Sequence, residues 1–462
     1  MRVERFRQIA DEFAAAIRSG ALPAGTRLPT HRDLARERGI AAATATKVYR
    51  ELAAVGLVVG ERGRGTYVRD LSRFGGLEPR RLPTGARVAD LSFNQPLAPD
   101  QSDQLRHALR ALAAQGDLDA LLLQQPAGGR STDRAAVATH LLDRGIDIAP
   151  ARVLLTAGAQ HALDTVLGSI AAPGAVVAVD ELTYPGIKHV ADARRIELVP
   201  IRCDVTGTDA GSLDELCGSR PVSAIYLMPT LHNPLGFTLD AVTRKRIAEI
   251  AHRRDCLLVE DGTYGFLAPD APAPLQRLAP ERTFHIGSLS KNLSTGLRVG
   301  YVVAPPRHIR VVKRTLIGSS WGISSIVTAL ATRWIADGTV ARLEKTRRED
   351  ARRRQDIARR HLADLGYHGN PGAYWGWLPL PDELRADIVA HRLAEQGVLV
   401  STADAFAATG HAPNALRLAL AGADIGVLPD ALGRVREAVR LAWGEDAGVP
   451  HDEAYRRVVR RE

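Results

Sequence analysis

The sequence predicts an α/β protein with a small helical head that carries a β-wing, and three observations support this. Past residue 150 the chain repeats short apolar runs, "RVLLT", "AVVAV", "IELVPI", "AIYLM", "CLLVE", "TFHIG" and "VGYVV", several of them separated by helical stretches. Runs that are apolar on both faces belong to a sheet covered on both sides by helices and mostly parallel. The first 70 residues instead show three helical periodicities and then two short strand-like stretches around a glycine-rich tip. Between these regions lies "DLSRFGGLEPRRLPTGAR", Asp70 to Arg87, which has no periodicity, is rich in Gly, Pro and Arg, and reads as a linker.

The head elements follow in order. Phe6, Ile9, Ala10, Phe13 and Ile17 recur at three and four, which predicts an amphipathic helix over 3–19 that stops at Gly20. "LPTHRDLARERG" offers Thr30 as the N-cap of a second helix closed by Gly39. "TATKVYRELAAVG" predicts a third helix, stopped by Gly56, and "LVV", "GERGRG" and "TYV" predict a hairpin. Three helices and a hairpin in about 70 residues is the pattern of a winged helix-turn-helix.

Length and charge set further bounds. A chain of 462 residues is too long for one core and suggests two or three domains. Its composition, 45% apolar and 24% charged, is that of a soluble globular protein. Residues 1–70 hold 13 Lys and Arg against 8 Asp and Glu, so over half of the net charge of +9 sits in the head. Residues 341–360 hold 9 against 4, but the signs interleave at helical spacing, as on a solvated helix face. Cys203, Cys217 and Cys256 are odd in number and lack a CxxC or paired-His spacing, so no disulfide framework and no metal site is indicated, and a cytoplasmic setting is expected. "MRVERFRQIADEF" has no hydrophobic h-region and nowhere do 18 apolar residues run together, so neither export nor membrane contact is expected.

Ligands of doubly covered sheets gather at the carboxyl ends of strands. After "VLLT" come Gly158, Ala159 and Gln160, at a helix start whose N–H groups can face an anion. After "AIYLM" comes "PTLHNPLG" with Asn233, where an Asx turn before Pro234 is the plain structural alternative. After "CLLVE" come Asp261 and Tyr264, and the acid could simply cap the next turn. After "TFHIG" comes "SLSKNLSTGLR", with Ser288, Lys291 and Arg298. Arginine outnumbers lysine by 55 to 6, and Lys291 alone follows a strand end among small residues that leave room for a ligand. A lysine amine can condense with an aldehyde, an acid can face a pyridine nitrogen, and arginine with a helix start can hold a phosphate. The implied cofactor is pyridoxal 5'-phosphate (PLP).

Residues 89 to about 440 resemble the fold-type I aminotransferases through "YLMPTLHNPLG", "VEDGTYGFL" and "SLSKNLSTGLRVGY", in order and at fitting separations. The resemblance implies that Lys291 forms the internal aldimine, that Asp261 pairs with the pyridine nitrogen, and that Asn233 and Tyr264 bind the phenolate. It implies that Ser288, Arg298, Ala159 and Gln160 hold phosphate, that Tyr184 in "DELTYPG" stacks on the ring, and that Arg417 in "NALRLAL" clamps a substrate carboxylate. Tyr184 could also be a packing residue before Pro185. One departure is Gln124, which stands where the family commonly has a tyrosine that reaches the neighbouring site across a dimer.

The front piece resembles the GntR-type winged helix through "LPTHRDLARERGI", "TATKVYRELAAVGLV" and "GERGRGTYV", and the combination is similar to the MocR-type regulators. This implies a helix in the major groove of double-stranded DNA, with contacts from Arg32, Thr44, Thr46, Lys47, Arg50, Arg62 and Arg64, and a homodimer. Ala41-Ala42-Ala43 stands where the family often begins that helix with Ser-Arg; a head used only for dimerisation is the alternative. The expected organisation is a winged helix-turn-helix over 1–70, a linker over 71–88 and an aminotransferase-like domain over 89–462. Its larger part spans about 130–335 and its smaller α+β part about 345–445. Three functions fit: a regulator sensing PLP, an amino acid or an amine; a working aminotransferase; or a sensor of PLP alone that controls vitamin B6 supply. The tail from Glu445 to Glu462 is a short helix or a frayed end.

Overall fold

Both faces of a seven-stranded sheet are covered in this protein, as continuous apolar strands require. A computed structural model describes residues 2–18, 22, 26–54, 57–61, 65–68, 89–96, 100–115, 118–410 and 412–447. The wing tip with Arg62 and Arg64, the helix stops Gly20 and Gly56, the linker over 71–88 and the tail past 447 lie outside these residues.

In the head, α1 (Arg2–Arg18), α2 (His31–Arg38) and α3 (Ala42–Ala54) precede β1 (Val58–Glu61) and β2 (Gly65–Val68). Thr30 caps α2 by accepting Asp33 N–H at 3.2 Å, and Gly39 closes it at φ 59°, a left-handed conformation that glycine adopts freely. The wing strands pair antiparallel, Val58 with Val68 and Glu61 with Gly65. Ile9, Ala10 and Ile17 from α1 meet Leu34, Val48, Leu52 and Val68 in one core. Helix α3 starts at Ala42, two residues before the expected Thr44, because alanines extend a helix readily and Ala41 O already accepts the N–H groups of Thr44 and Ala45.

The larger sheet holds β4 (Val153–Thr156), β5 (Val176–Asp180), β6 (Glu197–Ile201), β7 (Val222–Leu227), β8 (Leu257–Asp261), β9 (Thr283–Ser288) and β10 (Gly300–Val303). Their order across the sheet is β4, β10, β9, β8, β7, β5, β6. Six strands run one way and β10 alone runs against its neighbours. Successive residues of β5 feed different cores: Val177 and Val179 join one, Val176 and Ala178 the other. This two-sided burial is why the strand reads as an unbroken apolar run.

A smaller sheet stands beside it, built from β3 (Ala89–Leu91), β11 (Trp375–Pro379), β12 (Val398–Thr402) and β13 (Ala415–Ala419) in the order β11, β13, β12, β3. Strand β3, the first described element after the head, pairs parallel to β12. The 24-residue helix α4 (Thr339–Leu362) joins the two parts. No helix among the described residues is long and apolar enough to cross a membrane.

Candidate functional site

Five of the six like-oriented strands, β4, β5, β7, β8 and β9, deliver polar residues from the loops at their carboxyl ends, where such sheets place ligands. At the tip of β8, Asp261 is 3% exposed; its Oδ2 accepts the Tyr226 hydroxyl at 2.9 Å and its Oδ1 accepts Thr263 N–H at 3.0 Å. Burial raises its pKa, and the bonds from Thr263 and Tyr226 oppose that shift. Past β7, Asn233 is buried and its Oδ1 has no partner. Tyr264 is buried with its ring 4.4 Å from that of Trp375, and burial pushes its hydroxyl up to about 12. Tyr184 precedes Pro185 at a helix start; burial raises its pKa, and the charge of Asp261 and the hydroxyl of Tyr264 add to the shift.

Past β9, Lys291 Nζ donates to Asn94 O at 2.8 Å and lies 4.4 Å from the centre of the Phe93 ring. Burial lowers its pKa to about 7, and the guanidiniums of Arg417 and Arg298 push the same way. Residues on α4 fix the loop. Arg347, 4% exposed, donates to Asn292 O at 2.7 Å, Leu293 O at 2.9 Å and Pro96 O at 2.9 Å, and Glu344 accepts Asn292 Nδ2 at 2.6 Å. The run 341–360 is therefore not wholly a solvated face: two of its charges turn inward because the loop's backbone carbonyls and an amide need partners.

An anion cradle forms where β4 meets the helix Ala159–Ile170. Gly158 precedes it at φ 88°, and no side chain caps the exposed N–H groups. The Arg298 guanidinium lies against Gly158, 2.7 Å from where a Cβ would stand, and the positive φ is one that glycine adopts freely. Gln160 Nε2 donates to Gly186 O at 2.9 Å, tying this turn to the loop after Tyr184. The Ser288 hydroxyl donates to Val299 O at 2.9 Å and accepts Ser290 N–H at 2.9 Å, pinning the loop from inside. In the same loop the Ser290 hydroxyl is buried without a partner.

On β13, Arg417 is 4% exposed and stands 5.0 Å over Phe406. Its Nη2 donates to Ser92 O at 3.1 Å, while Nε and Nη1 have no partner. Burial lowers its pKa to about 10, so it stays charged at neutral pH. A buried cation with free donors is costly until an anion meets it. The unpartnered atoms of Asn233, Ser290 and Arg417 thus form a donor and acceptor set suited to a polar, anionic ligand near one amine. Sequence reading missed Tyr226, Ser290 and the segment Ser92–Asn94; the phrase "SFNQP" after a short strand was the available signal for the last.

In the head, Arg32, Thr46, Lys47 and Arg50 are exposed, with the last three on one face of α3. Thr46 Oγ1 donates to Ala42 O at 3.0 Å and is 3.2 Å from His31 Nδ1. Thr44 is half-buried. Gln124 is exposed beside exposed Leu122 and Leu123.

Comparison with known proteins gives two family matches: residues 86–435 to Aminotransferase class I and II, and residues 6–68 to Bacterial regulatory proteins, gntR family. The uncharacterized HTH-type transcriptional regulator YdeF of Bacillus subtilis is 26% identical over 88% of this chain and 88% of its own. The probable rhizopine catabolism regulatory protein MocR of Rhizobium meliloti is 27% identical over 78% of each. Among solved structures, LysN, the alpha-aminoadipate aminotransferase of Thermus thermophilus complexed with N-(5'-phosphopyridoxyl)-L-leucine, aligns at TM-score 0.71 and 25% identity, over 78% of this chain and 93% of that one.

Proposed function

The chain belongs to the aminotransferase class I and II family, with a gntR-family segment at its front, and from that premise we propose a transcriptional regulator that binds DNA through its head and senses an amino acid or amine on PLP held in its body. The head would be residues 1–70, the linker 71–88 and the sensor 89–462, in a cytoplasmic homodimer. One observation carries the reading: Asn233, Ser290 and Arg417 are buried with donors or acceptors that lack partners, and burial beside Arg417 and Arg298 lowers the pKa of Lys291 to about 7.

When bound, PLP supplies an aldehyde that condenses with primary amines and a pyridine ring that withdraws electrons. Lys291 would hold the aldehyde carbon. Asp261, oriented by Tyr226 and Thr263, would accept the pyridine N–H, and Asn233 with Tyr264 would hydrogen-bond the phenolic oxygen. Arg298, Ser290 and the N–H groups at Ala159 would hold the phosphate, with Tyr184 against the ring. Arg417 would take the effector's carboxylate in bidentate fashion. Its two free donors favour an effector that carries a carboxylate over a response to PLP alone.

The test is titration of a duplex selected from random sequence by the ligand-free protein, with PLP and then with PLP plus each amino acid. Affinity that changes with the amino acid supports the reading; equal affinity in all three states removes it. Following keto acid formation in the same samples separates sensing, a single slow conversion, from sustained turnover.

Two further outcomes are expected. Tyr226→Phe removes the hydroxyl that holds Asp261, a buried bond to a charged group worth about 1.5 kcal/mol or more, so PLP dissociates about tenfold more readily in equilibrium dialysis. An unchanged dissociation constant would deny Tyr226 that role. The pH profile of PLP capture carries the second. A lowered lysine pKa favours the neutral amine, which is the form that attacks, so capture accelerates by about tenfold from pH 6 to pH 8 and then levels. A rate still climbing steeply above pH 9 would place the reactive amine in an exposed, unperturbed setting.

A further inference from the structure

The chain enters the body through β3, which pairs in parallel with Val398–Val400 of the smaller sheet and is anchored by Ala89 N–H on Gly397 O at 2.9 Å. The next three residues run straight into the candidate site. Ser92 O accepts Arg417 Nη2 at 3.1 Å and Ser401 Oγ at 3.2 Å. The Phe93 ring lies 4.4 Å from Lys291 Nζ, and Asn94 O accepts that same amine at 2.8 Å. Asn94 Oδ1 accepts Ala421 N–H at 3.4 Å, so its side chain clips the segment to the end of β13.

Two basic groups of the site, Lys291 and Arg417, are therefore held, without ligand, by two carbonyls of one three-residue segment. They are the two groups that the proposed ligands must take: the aldehyde claims the lysine and a carboxylate claims the arginine. A neutral carbonyl is the weaker partner for a guanidinium, since a carboxylate adds an opposite charge and accepts two parallel N–H bonds. The same segment is the first described piece of chain after the head, whose last described strand ends at Val68.

Resting on the regulator reading above, we propose that Ser92–Asn94 is the element through which occupancy of the site reaches the DNA-binding head. PLP would take the Lys291 amine from Asn94 O, the lysine nitrogen bonding to the aldehyde carbon while the aldehyde oxygen leaves as water. The amine of an amino acid would then replace the lysine nitrogen on that carbon, two protons passing from the incoming nitrogen to the departing one, and its carboxylate would take Arg417 Nη2 from Ser92 O. The lysine is free to return to Asn94 O. Cofactor alone thus loosens the segment at residue 94, and the amino acid moves the loss to residue 92, nearest to β3. A ligand shifts a conformation only through contacts that differ between states, and these two carbonyls supply that difference.

The experiment is hydrogen–deuterium exchange on the full-length protein, ligand-free, with PLP, and with PLP plus a mixture of the common amino acids. Borohydride trapping and intact mass in the same samples report cofactor capture. With capture seen, the peptide covering 89–95 should exchange about tenfold faster after amino acids are added, while the peptide covering β4 is unchanged. Capture without any change over 89–95 overturns the proposal and leaves the regulator reading standing; absence of capture removes both. Ser401→Ala and Asn94→Ala each remove one clip and keep both carbonyls. Either should raise exchange over 89–95 before ligand is added and shrink the ligand-induced change in affinity for the selected duplex, with capture by Ser401→Ala intact. If both variants keep the wild-type exchange and the full DNA response, the segment does not carry the signal. If one fails to fold, the other decides.

Discussion

Lys291→Ala is expected to yield a folded protein that retains no PLP through borohydride reduction and dialysis, whereas the wild type gains the mass of one phosphopyridoxyl group. The other five lysines offer no substitute. Lys47, Lys245, Lys313 and Lys345 are exposed, and Lys188 donates to Asp404 O and Ala407 O. Lys291 differs because burial, helped by Arg417 and Arg298, brings its pKa to about 7. The sign of the stability change follows from the same shift. A lysine whose folded pKa lies below its unfolded value destabilises the fold increasingly as pH falls from the unfolded pKa to the folded one. Alanine removes that cost, so thermal unfolding at pH 6 should not move down. A variant that still gains the full phosphopyridoxyl mass would place the cofactor's attachment elsewhere and remove the basis of the sensor reading.

Arg417→Ala carries the second large effect. The wild-type guanidinium is buried, charged and satisfied by protein at one nitrogen only. A carboxylate meeting its free donors makes a desolvated charge pair, and truncating one partner of such a pair costs about 2–5 kcal/mol. The amino acid concentration that half-saturates the spectral change should therefore rise by about a hundredfold, while capture of PLP persists. Persistence is expected because Gly158 and Arg298, proposed to hold the phosphate, and the acid at Asp261 lie on other elements. Equal half-saturation in both proteins would mean that the effector carries no carboxylate, or carries it elsewhere.

The strands, the head's helices and the loops bearing Asn233, Asp261 and Lys291 were legible because their signals are local. Apolar runs follow from burial on both faces, Gly39 marks a left-handed helix end, and polar residues after strand ends fall where such sheets collect ligands. Composition and order also separated the basic head from the sheet-bearing body.

Only the tertiary structure decided which polar groups meet. Asn94 lies 197 residues before Lys291, and Ser92 lies 325 before Arg417, yet each holds its cation through a backbone carbonyl that no residue type announces. Tyr226 reads as one more apolar strand residue until its hydroxyl is seen on Asp261. Glu344 and Arg347 read as members of an exposed charged run until the lysine loop is seen packed over them. The Ser288 hydroxyl is engaged on Val299 O while that of Ser290 has no partner, because a hydroxyl is free or engaged according to the carbonyl opposite it. Local pattern fixes where a side chain leaves the backbone; its partner is fixed by whichever distant segment the fold lays against it.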